Sequence, residues 1–171
     1  RSEGSNIPLN IEGFELMGCA EISTNQHAAR SIKLWFKVPG SDTDIKSIVL
    51  TEFTKPASFT QALSVEELQS YRTTVKSMGR EDKLTFVSKA GIGRSAALSV
   101  YNQLAKSIES GAIKTPDELK AAFYAHLAQG RRDRGVRFLD VTVQQESIMA
   151  ALAIDLIEAL KSEPNAKPTE E

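Results

Sequence analysis

Apolar and polar positions alternate with period two over Ser31–Val38, SIKLWFKV, which places Ile32, Leu34 and Phe36 on one face of a predicted strand. A second strand-forming run, Lys46–Phe53 (KSIVLTEF), follows the turn Pro39-Gly40-Ser41-Asp42, so the two predict a hairpin. Phe14–Ile22 predicts a weaker strand ahead of them, and residues 1–13 read as a flexible lead-in. Beyond the hairpin the period changes. Thr54–Leu63 shows none and reads as a loop. Ser64-Val65-Glu66-Glu67 has the spacing of a capping box, and Leu68, Tyr71 and Val75 carry a helical stripe up to Gly79.

Lys83–Val87 (KLTFV) predicts a short strand, central and buried. It runs through a glycine-bearing loop into a helix over Ser95–Ser110, stopped by Gly111. Thr115-Pro116-Asp117-Glu118 predicts the next helix, with proline at the first helical position, running to Gln129 and ending at Gly130. An arginine-rich loop over Gly130–Phe138 then precedes a last helix, Thr142–Lys161, whose Ile148, Leu152, Leu156 and Leu160 recur at helical spacing. Residues 162–171 read as a disordered tail.

Strands thus fall mainly in the first half and helices in the second, which predicts an α/β or α+β fold, with the folded domain at 14–161. At 171 residues the chain is long enough for one domain with its own core. Its opening on Arg1 rather than Met, with no secretory signal before the fold, reads as a fragment whose native start lies elsewhere. No apolar run approaches the roughly 20 residues that a membrane span needs. Lys plus Arg number 21 and Asp plus Glu 22, a net charge of -1 that argues against a general nucleic-acid binder. With one cysteine, Cys19, neither an internal disulfide nor a multi-cysteine zinc site can form. Between Gly18 and Ala20 that cysteine reads as a small buried residue, and a cytoplasmic or other reducing compartment is expected. Delivery into a host cell stays compatible with that expectation. His27 has no partners at metal spacing, and His126 reads as a packed or surface histidine, so no metal or cofactor is expected.

The chemistry is concentrated in one segment. The strand KLTFV leads into Ser88-Lys89-Ala90-Gly91-Ile92-Gly93-Arg94-Ser95, and a helix begins at once. Strand, tight small-residue loop and helix N-terminus together form an anion cradle, because backbone N–H groups and the helix dipole converge on one spot. Gly91 and Gly93 allow the close backbone approach such a cradle requires. Arg94 ends the loop where a planar guanidinium can grip two phosphate oxygens. No lysine follows Gly93, so the segment is not a nucleotide-binding P-loop.

Ala90-Gly91-Ile92-Gly93-Arg94-Ser95 resembles the signature of the protein tyrosine phosphatases, H-C-x-x-G-x-x-R-[ST]. The resemblance extends over roughly Ile32–Leu160 and implies that family's twisted sheet flanked by helices. It implies phosphate binding by residues 88–95, and it puts Ser88 at the position of the family's nucleophilic cysteine. Phe53-Thr54-Lys55-Pro56-Ala57 falls where the family has its Trp-Pro-Asp motif, with Ala57 at the general-acid position. Asp140 and Gln144 would hold the two positions of the glutamines that orient the hydrolytic water.

The departures from this pattern all touch chemistry. Serine has no accessible anion near neutral pH and no base stands beside Ser88 to activate it. Val87 replaces the family's histidine, Ala57 cannot protonate a leaving group, and Asp140 brings a carboxylate where a glutamine belongs. Loss of a general acid alone costs about 10²–10⁴-fold in rate. Three readings follow: a pseudophosphatase that binds or scaffolds, an active phosphotyrosine hydrolase carrying a Cys-to-Ser substrate-trap change at position 88, or a structural subunit with a relic pocket. The concerted set of changes favours the first. Under that reading an oxyanion sits in the loop. Arg131, Arg132, Arg134 and Arg137 are then placed to attract a phosphorylated or acidic protein partner, or else form a solvated basic turn.

Overall fold

A computed structural model describes residues 13–22, 30–52, 62–77, 85–86 and 92–162. It is a mixed α/β structure, with a three-stranded antiparallel sheet and four helices among the described residues. The chain divides into two compact units, Arg1–Pro56 and Ala57–Glu171.

The first unit holds β1 (Glu15–Ile22), β2 (Arg30–Lys37) and β3 (Ile45–Glu52), an antiparallel meander in the order β1-β2-β3. The hairpin read from the alternation is present, in the register Leu34 opposite Ile48 and Lys37 opposite Ile45. Its turn closes through Val38 N–H to the Asp44 carbonyl at 2.9 Å, with Gly40 at φ +77°. Lys37 reaches Asp42 across that turn at 2.8 Å. Phe36 is the buried side chain of this unit among the described residues. Cys19, expected inside, is exposed. The reason is its place on β1, which pairs within this sheet with β2 alone and whose described side chains are otherwise exposed, apart from Gly18.

The second unit holds α1 (Val65–Ser77), α2 (Arg94–Glu109), α3 (Pro116–Arg134) and α4 (Thr142–Ser162). The predicted capping box forms at the start of α1, and a second opens α3. Glu67 N–H donates to Ser64 Oγ at 3.2 Å while Glu67 Oε2 accepts from Ser64 N–H at 2.8 Å. Thr115 and Glu118 make the same exchange at the start of α3. Each box satisfies amides that the first helical turn leaves without intrahelical partners.

Helix α2 is the centre of this unit. Ala96, Ala97, Val100, Tyr101, Leu104, Ala105 and Ile108 are all buried on it. Around it pack Leu68 of α1, Leu119, Phe123 and Leu127 of α3, and Ile148, Ala151, Leu152 and Leu156 of α4. Alanines at three of these positions on α2 let neighbouring helices approach closely. Each large aliphatic side chain fully buried there contributes about 1.5–3 kcal/mol relative to exposure. Within this core Arg72 is 5% exposed, donating to Asn102 Oδ1 at 2.5 Å and to Glu109 Oε2 at 2.6 Å. Buried charge needs such partners to be tolerated.

Two expectations fail here. The strand over Lys83–Val87 is not seen at Thr85 and Phe86, which lie in neither helix nor strand, and its other positions fall outside the described residues. Phe86 instead sets its ring edge against Tyr71, centroids 5.6 Å apart. Nor does α3 stop at Gly130. It continues to Arg134 and ends at Gly135, φ +93°. Arginines are good helix formers, and their charge in the last turn suits the negative end of the helix dipole. Gly130 serves packing instead: a Cβ there would lie 2.1 Å from the ring of Phe138. Arg131, Arg132 and Arg134 are therefore helical, and only Arg137 of the four lies in the connection to α4.

Candidate oxyanion site

The N-terminus of α2 is unlike those of α1 and α3. Its cap residue, Gly93 (φ -107°, ψ -93°), has no side chain to accept from the first-turn amides, and that turn carries no acidic residue. The first helical bond runs from Ala97 N–H to the Gly93 carbonyl at 2.8 Å. The dipole end is left positive and, among the described residues, without a side-chain cap. Arg94 adds a full positive charge there, half-exposed, with no ion pair among the described residues. A cation at this end of a helix is unfavourable by about 0.3–1 kcal/mol, a cost that a bound anion would reverse. Ser95, next along, is buried.

The segment between α3 and α4 is fastened to this helix end. Leu139 N–H donates to the Ile92 carbonyl at 3.0 Å. Leu139 itself is buried and holds φ +49°, the left-handed region that a branched side chain seldom adopts. Gln145 Nε2 donates to the Leu139 carbonyl at 2.5 Å, so both backbone groups of the strained residue are engaged. The turn before it closes through Phe138 N–H to the Gly135 carbonyl at 3.0 Å.

Of the site residues expected from the sequence, Ile92, Gly93, Arg94 and Ser95 are at the start of α2, and the Leu139 bond brings Asp140 into their neighbourhood. Ser88, Lys89, Ala90, Gly91 and Ala57 lie outside the described residues. Gln144 is 5% exposed, and its Oε1 accepts from Leu63 N–H at 2.9 Å. Its Nε2 is buried with no hydrogen-bond partner among the described residues. The Asp140 carboxylate sits 3.7 Å from Arg137 Nε at the surface, an exposed pair of small energetic weight.

Compared with protein-family models, curated proteins and solved structures, the chain matches none. Among the described residues no group of His, Cys, Asp and Glu could hold a metal ion, and no helix is long and apolar enough to cross a membrane. His126, half-buried on α3, bonds through Nδ1 to the Ala122 carbonyl and through Nε2 to Gln103 Oε1, each at 3.0 Å.

The sequence does not single out Leu139, or Gln145 as the residue that secures it. A non-glycine residue with positive φ leaves no trace in hydrophobic periodicity. The adjacent glutamines could not be told apart by spacing alone: Gln144 reaches Leu63, and Gln145 reaches the strained turn.

Proposed function

We propose that this chain is a protein tyrosine phosphatase-like module that binds a phosphoryl oxyanion without hydrolysing its ester, and so acts as a binding or scaffolding pseudophosphatase. The observation that carries this reading is the N-terminus of α2, which among the described residues has no side-chain cap, no acid in its first turn, and a cation, Arg94, with no ion pair. The sequence Ser88–Gly93 leading into it has the signature spacing, and in this reading its amides would add donors to those of the helix end. In this reading Arg94 grips two equatorial oxygens, and the first amides of α2 and the loop take the rest.

Chemistry stops at binding because Ser88 offers no thiolate and Ala57 offers no proton. The family's twisted sheet flanked by helices is part of the same proposal. Its test is to incubate the chain with an aryl phosphate and follow both complex formation and phenol release. Saturable binding with no product supports the reading. Turnover that disappears in Ser88→Ala overturns it, because Ser88 would then be a working nucleophile.

A further inference from the structure

We propose that the arginines at the end of α3 form a docking row for an acidic stretch of a protein partner, beside the oxyanion site and resting on that reading for the phosphorylated residue. Arg131 and Arg134 are one turn apart on α3, both exposed. Side chains at that spacing are neighbours on a helix surface. Neither has a carboxylate partner among the described residues, although Asp133 lies between them in sequence. Asp133 is turned back along the helix, accepting from Gln129 Nε2 at 2.8 and 2.9 Å. Arg132 is held the same way, donating to Gln129 Oε1 at 2.5 Å. Arg137 meets Asp140 only through Nε at 3.7 Å, and its side chain is 80% exposed. Three guanidinium forks therefore face solvent with little internal pairing.

Backbone bonds bring this row toward the end of α2. Gly135 N–H donates to the Arg131 carbonyl, Phe138 N–H to the Gly135 carbonyl, and Leu139 N–H to the Ile92 carbonyl, each at 3.0 Å. Phe138 is seated on Gly130, which fixes the turn against the helix that bears the arginines. The row is thus part of a rigid frame ending one residue from Gly93.

Charge chemistry selects the partner. Planar forks favour bidentate pairing with carboxylates, and successive side chains of an extended peptide can meet a short row of them. A membrane surface is the poorer fit, since a chain of net charge -1 offers a broad anionic surface no overall attraction, whereas a short acidic stretch can meet the local row alone. The occupant is therefore a run of Asp or Glu flanking a phosphorylated residue.

The test uses fluorescent peptides of one sequence carrying tyrosine or phosphotyrosine, flanked by glutamates or by glutamines, with the full chain and anisotropy as readout. The acidic phosphopeptide should bind tighter than the neutral one by roughly 3- to 30-fold at low salt, an advantage that shrinks as salt rises. Arg131→Gln with Arg134→Gln should erase that advantage and leave the neutral phosphopeptide unchanged. Equal binding of acidic and neutral phosphopeptides, or an advantage that survives the double substitution, overturns the docking row while leaving the oxyanion site intact. An acidic advantage that depends on these arginines without any gain from phosphorylation upholds the row and removes the oxyanion reading. Tighter capture by phosphatidylserine vesicles than by any acidic peptide, lost in the double variant, overturns the choice of partner.

Discussion

Leu139 donates its amide to the carbonyl of Ile92 across 3.0 Å, and in doing so ties the turn after α3 to the N-terminus of α2. The left-handed backbone of Leu139 (φ +49°) costs about 1–2 kcal/mol and persists because the fold secures the residue on every side. Its amide should therefore rank among the slowly exchanging ones in hydrogen exchange, although it belongs to a connecting turn. Leu139→Ala should lower stability in urea by about 2–5 kcal/mol and hasten exchange in the first turn of α2. Fast exchange at Leu139 in the unsubstituted chain would refute this tie.

Gly130 gives a prediction opposite to helix propensity. Alanine in a helix interior is favoured over glycine by about 1 kcal/mol. At this position its methyl group would lie 2.1 Å from the ring of Phe138. Gly130→Ala should therefore destabilise by about 1–3 kcal/mol. In a Phe138→Ala background the same substitution should stabilise. A thermal-melt cycle reads both signs, and stabilisation by Gly130→Ala alone would show that the ring does not rest there.

Two carboxylates give pH dependences of opposite sign. Burial raises Asp155, although Tyr101 donates its hydroxyl to the Asp155 carboxylate at 2.8 Å. The folded chain thus holds this proton to higher pH than the unfolded chain does, so the contribution of Asp155 is full in acid and lost as pH rises through the folded value. Burial also raises Glu109, but Lys76 and Arg72 outweigh it and hold the carboxylate below its ordinary range. Its contribution is present above the unfolded value and is lost as pH falls through the folded one. Asp155→Asn should gain stability relative to the parent as pH rises from about 4 toward neutral, and Glu109→Gln should lose it on crossing the same acid range upward. Urea melts across that range decide the matter. Parallel curves for parent and variants would contradict the assignment.

Much of the helical half was legible from sequence because its signals are local. Ser64 with Glu67 and Thr115 with Glu118 announced two helix starts, and both boxes form. Alternation over Ile32, Leu34 and Phe36 announced β2, and the paired runs announced its hairpin with β3. What escaped was set by tertiary contact. Gly130 looked like a helix stop until Phe138 was seen to occupy the space a side chain would need. Cys19, set between Gly18 and Ala20, reads as buried, yet it lies on an exposed strand. At the candidate site Arg94 reads as the end of the loop and Ser95 as the start of the helix, and the helix begins one residue earlier, at Arg94. The role of Leu139 depends on a backbone conformation that no residue type there advertises.

Restoration separates a natural pseudophosphatase from an engineered trap. Ser88→Cys should recover only a weak rate on aryl phosphates with good leaving groups, which scarcely need a proton. Phosphotyrosine peptides should remain poor until Ala57→Asp is added, and the added acid should then give about a 10²–10⁴-fold gain. Full peptide turnover from Ser88→Cys alone would mean that residue 88 is the only departure that matters, as in a substrate trap.

Calorimetric titration with tungstate decides whether the start of α2 holds an oxyanion. Saturable binding to the unsubstituted chain is expected, abolished by Arg94→Ala with the thermal melt retained. Absence of binding at millimolar tungstate, or binding that Arg94→Ala leaves unchanged, would contradict it.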